Sequence, residues 1–281
     1  MKVLVIGGNG MAGHMMVRYF RKAGADVWYT VRRAAGGSGE LVMDATDLDA
    51  AAETIGRVGP DLVINCAGVL NQDAERRPKE AYLVNGLLPH WLARAAETAG
   101  GRLIHISSDC VFLGDRGGYR ESDRPDGVSA YARTKALGEV RDPRHLTIRT
   151  SIIGPEIRDS GIGLLRWFLG QKGTVDGYAR VPWNGVTTLE LARAVEYAAS
   201  RPGIGGLVHL TAPRVVSKLE LLRLFREVFG RDDVAIRPVD EPRIDRTLVR
   251  ERTDFGYMPP DYPEMLAELA DWMREGQGLP G

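Results

Sequence analysis

The chain has 281 residues and a formal net charge of zero, with 37 lysines and arginines balanced by 37 aspartates and glutamates. This balance, without a basic block or an acidic tail, excludes the electrostatic signature of a nucleic-acid-binding or membrane-surface protein. No apolar run approaches a membrane-spanning length, and the opening run, Met1 to Ile6, is too short for a signal sequence. We therefore expect a cytoplasmic protein with no nucleic-acid or membrane partner.

The two cysteines are expected to be free thiols. Cys66 and Cys110 both lie in apolar runs typical of strands, and buried thiols in a reducing compartment are favoured there over a disulfide. No cluster of cysteine and histidine has the spacing of a metal site, so we expect no bound metal.

A glycine-rich turn follows the first predicted strand. Lys2 to Ile6 is a short apolar run typical of a buried parallel strand, and Met11 to Ala23 has the apolar spacing of a helix. The glycines between them have the spacing G-x-x-G-x-x-G, one residue looser than G-x-G-x-x-G. A glycine turn between a strand and a helix favours binding of a dinucleotide pyrophosphate. The predicted contacts are Gly7, Asn9, Gly10, Met11 and Gly13.

The second predicted strand, Asp26 to Val31, ends at Arg32 and Arg33. In a dinucleotide-binding fold this strand end meets the adenosine ribose. An acid there would bind the 2′-hydroxyl, whereas an arginine would pair with a 2′-phosphate. The doubled arginine therefore predicts NADP(H) rather than NAD.

A third short strand precedes Asp44 and Ala45, which are candidates for contact with the adenine. Capping of the loop by Asp44 is the alternative. Either Thr46 or Asp47 can cap the helix that follows.

Two further strand ends carry residues suited to a cofactor and a substrate. The stretch from Asp61 to Gly68 predicts a strand and a turn, where small residues let a flat cofactor lie against the backbone. The stretch from Arg102 to Asp109 predicts the next strand, whose carboxyl end is where an open α/β sheet binds its ligands. We expect His105, in the middle of this strand, in the core. The candidate contacts are Cys66, Ala67 and Gly68 in the first turn, and Ser107, Ser108 and Asp109 at the second strand end.

Tyr131 and Lys135 are four residues apart, so on a helix they share a face. A neighbouring ammonium stabilises a phenolate and is expected to lower the pKa of the tyrosine. Such a tyrosine can pass a proton to or from a carbonyl oxygen.

Predicted strands and helices alternate about six times from Gly7 to Thr150, the pattern of an α/β fold with a doubly wound parallel sheet of the Rossmann type. We assign residues 1–151 to this NADP-binding domain. The regularity ends after Thr150. Residues 152–281 are predicted mainly as a smaller C-terminal substrate-binding lobe, with elements that return to the main sheet.

The order of these motifs resembles the extended short-chain dehydrogenases/reductases. Within that superfamily the chain is most similar to the dTDP-4-dehydrorhamnose reductase family, as the stretches Ser107 to Phe112, Tyr131 to Glu139 and Arg149 to Ser151 indicate. The resemblance covers nearly the whole chain and is closer before Ser151 than after it.

The resemblance implies NADPH-dependent reduction of a 4-keto group on a nucleotide-linked deoxysugar. Ser108 would hydrogen-bond the reacting carbonyl, and Tyr131 would be the general acid. Lys135 would hold the nicotinamide ribose and lower the Tyr131 pKa, so Tyr131 and Lys135 are also expected cofactor contacts. Cys110 and Ile152 stand where the family usually has tyrosine and tryptophan, so the sugar pocket is expected to differ. The predicted substrate contacts are Ser108, Asp109, Cys110, Tyr131, Ile152, Tyr178, Trp183 and Asn184. For Trp183, a position in the core is the alternative.

Two other functions stay open at this point. One is a nucleotide-sugar epimerase or dehydratase with tightly bound NAD; Arg32 argues against the epimerase, because such epimerases place an acid after the second strand. The other is a non-catalytic NADP-binding regulatory subunit, against which the complete set of Ser108, Tyr131 and Lys135 argues. The sequence does not determine the sugar, the nucleotide or magnesium binding, and a homodimer is the default expectation.

Overall fold

The computed structural model describes residues 1–158 and 161–277. The strands are β1 Lys2–Ile6, β2 Asp26–Val31, β3 Glu40–Val42, β4 Leu62–Asn65, β5 Arg102–Ile106, β6 Leu146–Arg149, β7 Ile152–Ile153, β8 Gly173–Tyr178, β9 Pro182–Trp183, β10 Val186–Thr187, β11 Gly206–His209, β12 Val216–Ser217 and β13 Val234–Val239. The α-helices are α1 Met11–Lys22, α2 Leu48–Val58, α3 Asn71–Arg76, α4 Pro78–Ala81, α5 Leu88–Thr98, α6 Ala130–Leu137, α7 Leu164–Leu169, α8 Thr188–Ala199, α9 Lys218–Val228 and α10 Tyr262–Gln277.

Seven parallel strands form the central sheet, in the order β11-β6-β5-β4-β1-β2-β3. Chain order reverses at β1, which pairs with β2 on one side and β4 on the other. This is the topological switch point at which doubly wound sheets bind ligands. The predicted fold class is therefore confirmed, and β11, from the C-terminal part of the chain, extends the sheet beside β6.

Alternate residues of β1 enter two different hydrophobic cores, as the two-residue period of a strand requires. Val3 and Val5 pack in the larger core, to which α1, α8 and α10 contribute. Leu4 and Ile6 pack in the second core, with α2 and α5. Helices thus cover both faces of the sheet, which explains why the buried strands are apolar throughout.

Three short sheets complete the C-terminal part. Strands β8 and β13 pair in parallel over six residues, β7 pairs with β10, and β9 pairs antiparallel with β12. The last pairing places Val216 opposite Trp183 and Ser217 opposite Pro182. It therefore brings the start of α9 against β9.

Local capping follows the sequence closely. The Asp47 carboxylate accepts the Ala50 N–H (2.9 Å) at the start of α2, and Ser217 Oγ accepts the Glu220 N–H (3.0 Å) at the start of α9. The Glu220 carboxylate forms an ion pair with Arg214, whose Nη1 lies 2.6 Å from Glu220 Oε1. These side chains satisfy N–H groups that a helix leaves unpaired in its first turn.

A π-helical segment, Tyr82–Leu87, joins α4 to α5, and Pro89 lies in the first turn of α5, where its missing N–H costs no hydrogen bond. One element differs from the sequence expectation. The strand predicted to reach Asp109 ends at Ile106, and Asp109–Val111 form a 3-10 turn. Cys110 therefore lies in a turn rather than in a strand. None of the helices described is long and apolar enough to cross a membrane.

Candidate active site

The glycine turn brings the chain back on itself between β1 and α1. Gly7 has a φ of +83°, and a Cβ at Gly13 would lie 2.1 Å from the Gly7 carbonyl oxygen, so neither position accommodates a side chain. A Cβ at Gly7 would also lie 3.0 Å from the Ala67 nitrogen, which shows that the turns after β1 and β4 touch. No side chain caps α1, so its first N–H groups face the turn and suit a bound anion.

The other predicted cofactor contacts on these turns lie beside the glycines. They are partly buried: Asn9, Gly10, Met11, Cys66, Ala67 and Gly68. Burial raises the pKa of the Cys66 thiol to about 12, so this cysteine is neutral at physiological pH.

A cavity of about 430 Å³ lies beyond the end of β2. Arg32 Nη2 lies 3.3 Å from Glu80 Oε1 in this cavity, and Arg77 Nη1 lies 2.5 Å from the other oxygen of the same carboxylate. Glu80 thus holds the Arg32 guanidinium at the cavity wall. Arg33 is exposed and does not line the cavity. The lining residues are Arg32, Asp44, Thr46, Lys79, Glu80 and Leu83.

The Asp44 carboxylate caps its own loop, which the sequence left as the alternative to an adenine contact. Its Oδ1 accepts hydrogen bonds from the Thr46 N–H (2.9 Å) and hydroxyl (2.8 Å), and the backbone N–H is the main reason that its pKa is lowered. Ala45 lies beside it, partly buried. Asp44 remains on the cavity wall, so capping and cofactor contact are compatible.

Lys135 is 4% exposed and lies against the end of β5. Its Nζ donates to the Ile106 carbonyl oxygen at 2.7 Å and lies 3.3 Å from His105 Nε2. Asn65 on β4 continues this chain, because its Nδ2 lies 3.1 Å from His105 Nδ1. Burial lowers the pKa of Lys135 to about 8, and the charge of Glu139 opposes this shift.

Tyr131 lies on the same helix, one turn before Lys135, beside Ser108, Asp109 and Cys110. Its pKa is raised, not lowered as the sequence analysis expected. Burial is the largest cause of the raised pKa, the Cys110 and Asp109 groups add to it, and the nearby Ser108 hydroxyl opposes it. The Lys135 ammonium does not offset the burial, since it is directed at the Ile106 carbonyl. The Tyr131 phenol therefore keeps its proton and can act as an acid.

Ser108 Oγ has two partners at the end of β5. It accepts the Cys110 N–H (3.1 Å) and donates to Asp109 Oδ1 (3.1 Å). Burial raises the pKa of Asp109, and the charges of Lys218 and Arg246 act against that. Burial likewise raises the pKa of the Cys110 thiol to about 12. The structure thus brings the predicted group of Ser108, Asp109, Cys110 and Tyr131 together.

The sugar contacts predicted in the C-terminal part are less well placed. Asn184 Nδ2 donates to the Leu248 carbonyl (2.8 Å) and its Oδ1 accepts the Leu248 N–H (3.1 Å), so its amide is occupied by backbone. Trp183 is 4% exposed, in the core. Tyr178, on β8, is 41% exposed, and Ile152, on β7, is partly buried. The Asn184 amide is thus held by backbone and the Trp183 ring is buried with its Nε1 unpaired, so contact of these two residues with a sugar stays a prediction.

Sequence reasoning missed Asn65, His105 and Lys218 as neighbours of the site. Asn65 and His105 are Cα partners in the parallel pairing of β4 and β5, a register that a sequence does not determine by itself. Their polar side chains inside apolar strands were the available signal. Within residues 1–158 and 161–277, no group of three or more potential metal ligands lies together.

The doubly wound sheet, the glycine turn and the grouping of Ser108, Tyr131 and Lys135 define a Rossmann-type protein of the extended short-chain dehydrogenase/reductase class. Residues 1–253 match the family model described as RmlD substrate binding domain, and the chain belongs to this family. The resemblance predicted from the motifs is confirmed.

Individual relatives agree with this assignment. The dTDP-4-dehydrorhamnose reductase of Mycobacterium tuberculosis is 35% identical over 219 residues, which cover 74% of this chain and 71% of that protein. The dTDP-4-keto-6-deoxy-D-glucose reductase of Streptomyces niveus is 28% identical over 267 residues, covering 89% and 86%. The crystal structure of the Bacillus anthracis dTDP-4-dehydrorhamnose reductase in complex with NADP has the same fold. Its TM-score is 0.82 at 19% identity, over 96% of this chain and 99% of that chain.

Proposed function

We propose that this protein uses NADPH to reduce the 4-keto group of a nucleotide-linked deoxysugar. The observation that carries the proposal is that Ser108 and Tyr131 lie together, with Lys135 one turn further along α6 and close to Cys66, in the turn that touches the one joining β1 to α1. The mycobacterial and streptomycete relatives, both named as reductases of dTDP-linked keto sugars, support the enzyme class and the kind of substrate predicted from the sequence.

The residues around the glycine turn and the cavity beyond β2 fit NADP(H). A side chain at Gly7 or Gly13 would fill the space between them, so the glycines let a pyrophosphate approach the backbone closely. The N-terminus of α1, which no side chain caps, complements the charge of the pyrophosphate. Arg32 in the cavity beyond β2 offers a planar donor fork to a 2′-phosphate. The NADP-bound relative from Bacillus anthracis supports this choice of cofactor. When bound, the cofactor supplies the hydride.

Tyr131 supplies the proton. Because burial raises its pKa, the phenol stays protonated at neutral and mildly alkaline pH and can protonate the oxygen of the carbonyl as negative charge develops there. Lys135 follows one turn later on α6 and is proposed to hold the nicotinamide ribose. Its positive charge, one turn away on the same helix, is proposed to stabilise the phenolate that remains after proton transfer.

Ser108 is the second group proposed for the carbonyl oxygen. Its hydroxyl, which here donates to Asp109, can rotate toward a carbonyl while the Cys110 N–H continues to hold the Oγ. A donor fixed by its own backbone costs little reorganisation when charge develops, which is the basis of oxyanion stabilisation.

The two alternatives are less well supported. An epimerase with tightly bound NAD calls for an acid at the end of β2, where Arg32 stands. A regulatory subunit without turnover does not need the buried lysine, the protonated tyrosine and the serine in one place. The presence of all three favours an enzyme.

The purified protein should be mixed with NADPH or NADH and with nucleotide-linked 4-keto-6-deoxy sugars. We expect loss of absorbance at the reduced-nicotinamide band, faster with NADPH. Purification with bound NAD and no net loss of reduced cofactor on any keto sugar would overturn the proposal.

We further propose that the protein acts in the cytoplasm as a homodimer. The absence of a membrane-spanning helix in the described residues is consistent with the first, and the prevalence of twofold oligomers with the second. Light scattering of the purified chain tests the dimer, and a mass of one chain contradicts it.

A further inference from the structure

The first residue of α9, Lys218, lies beside Trp183, one of the residues that the sequence predicted to contact the sugar. The Lys218 N–H donates to the Val181 carbonyl (2.9 Å), and the β9–β12 pairing fixes the neighbouring residues Val216 and Ser217 against β9. From this position the Lys218 Nζ lies 4.5 Å from the centroid of the Trp183 ring. The tryptophan is buried, and the lysine is partly buried.

The Lys218 ammonium lies next to the catalytic group. The Asp109 carboxylate and the Cys110 thiol are the neighbours whose charges act on it, and Asp109 directly follows Ser108 in the chain. Burial lowers the pKa of Lys218 to about 8, and these two neighbours oppose the shift.

Among the described residues, Lys218 Nζ has neither a hydrogen-bond acceptor nor an ion-pair partner within reach. The neighbouring carboxylate does not fill this need, because Asp109 is more than 4.0 Å from Nζ and accepts the Ser108 hydroxyl instead. An ammonium carries three donors, and a partly buried donor without an acceptor costs free energy. Lys218 Nζ is not one of the fully enclosed unpaired side-chain atoms among the described residues.

We propose that Lys218 is a substrate-specificity residue that donates a hydrogen bond to an oxygen substituent on a ring carbon beside the reacting carbonyl. The inference rests on the proposed function, because it takes the carbonyl to lie between Ser108 and Tyr131. The sugar then supplies the acceptor that the protein lacks. The substrate class is thereby narrowed to keto sugars that keep a hydroxyl next to the keto carbon, on the Asp109 side.

A site that contains an unpaired donor discriminates strongly against a ligand that lacks the matching oxygen, because binding then leaves the donor buried and unsatisfied. Sugars deoxygenated at that carbon are expected to be poor substrates. The cation–π contact between Lys218 Nζ and the Trp183 ring limits the conformations of the lysine and so contributes to this selectivity.

The test compares Lys218→Met and Lys218→Arg with Lys172→Met, which removes an exposed lysine elsewhere in the C-terminal part. Substrates are nucleotide-linked 4-keto sugars with and without hydroxyls on the carbons adjacent to the keto group. For wild type, we expect kcat/KM to be higher for the hydroxylated sugar. Lys218→Met should lower that value by roughly 10- to 100-fold, mainly through KM, and bring the ratio of the two sugars close to one. Lys218→Arg should restore most of the ratio, and Lys172→Met should change nothing.

Two further readouts separate specificity from folding. Because the ammonium is unpaired, Lys218→Met should keep or raise the melting temperature, and its Kd for NADPH should match wild type. An unchanged sugar ratio in Lys218→Met overturns the inference. So does an equal loss in kcat for both sugars.

Calorimetry with nucleotide-linked 6-deoxyhexoses that bear the hydroxyl needs no turnover. It therefore tests Lys218 even if wild type reduces no keto sugar. At least tenfold weaker binding to Lys218→Met would support the inference, and equal binding would overturn it, whatever becomes of the reductase proposal.

Discussion

Lys135 Nζ lies 3.3 Å from Nε2 of His105, and the geometry behind His105 defines which ring nitrogen carries the proton. Asn65 Oδ1 accepts the Ala67 N–H (3.1 Å), so the Asn65 amide presents its NH₂ group to His105 Nδ1. Nδ1 is then the acceptor, and the proton of the neutral imidazole is on Nε2, facing the lysine. Burial lowers the pKa of His105 well below its ordinary value, so the ring stays neutral.

An N–H that points at the Lys135 amino group favours the neutral amine, which can accept it while donating to the Ile106 carbonyl. This acts in the same direction as burial, which lowers the pKa of Lys135 to about 8. The ammonium predominates below that pH and is lost as the pH rises through it. Tyr131, whose pKa is raised, stays protonated over this range.

We predict that kcat for reduction falls as the pH rises through about 8, and that this limb belongs to Lys135. In His105→Leu the neutral amine loses its N–H donor, so the Lys135 pKa should rise and the limb should move to higher pH. Rate profiles of the two proteins from pH 6 to 10.5 measure the shift. A limb at the same pH in both would show that His105 does not tune the lysine.

Lys135 is expected to lower the stability of the fold at neutral pH. Its folded-state pKa of about 8 lies below the ordinary 10.5. The free-energy cost of burying the charged lysine is therefore fully present below pH 8, and it disappears as the pH rises from about 8 to 10.5. Such a shift corresponds to roughly 3 kcal/mol. Lys135→Met should therefore raise the free energy of unfolding at pH 7, by up to about that amount, while it abolishes reduction. Urea denaturation measures this, and a less stable variant contradicts it.

Arg32 should decide between the two nicotinamide cofactors. Arg32→Ala removes the guanidinium from the cavity wall and should weaken NADPH binding by roughly 10- to 100-fold, while NADH binding stays the same. Glu80→Gln removes the carboxylate 3.3 Å from Arg32 and should tighten NADPH binding. The matched control is Arg33→Ala, since Arg33 is exposed and does not line the cavity. Kd values from nicotinamide fluorescence suffice, and equal effects of the two alanine variants would refute the assignment.

Glu139 and Arg149 form a buried ion pair beneath the catalytic helix. Arg149 Nε lies 2.5 Å from Glu139 Oε1 and Nη2 lies 2.7 Å from Oε2, and the Ser107 hydroxyl also donates to Oε1 (3.0 Å). Glu139→Ala leaves the guanidinium buried without a counter-charge, which costs about 3–5 kcal/mol. The control, Glu275→Ala, breaks an exposed pair with Lys22 and should leave the unfolding midpoint unchanged. Chemical denaturation of both variants tests this, and similar midpoints would contradict it.

The features that the sequence predicted well depend on local chemistry. The turn at Gly7 and Gly13 follows from positions that tolerate no side chain, and the cap at Asp47 follows from one side chain and its own helix. The parallel sheet follows from short apolar runs that alternate with helical segments. A strand that is apolar throughout must be covered by helices on both faces of its sheet.

What the sequence could not predict depends on contacts between distant elements. The sequence did not show that Trp183 is buried beside the pairing of β9 with β12, or that the Asn184 amide is held by the backbone of Leu248. The same pairing places Lys218 beside Trp183. The expected lowering of the Tyr131 pKa also failed, because burial outweighs a lysine whose Nζ is held by the Ile106 carbonyl.

The most direct measurement follows the hydride and the proton together. The protein should be given NADPH deuterated at C4 of the nicotinamide and a nucleotide-linked 4-keto-6-deoxy sugar, with NMR of the product. We predict deuterium on sugar carbon 4 for wild type, and at least a 100-fold slower appearance of the same product with Tyr131→Phe. A product without deuterium at carbon 4, or a Tyr131→Phe variant as fast as wild type, would contradict the account.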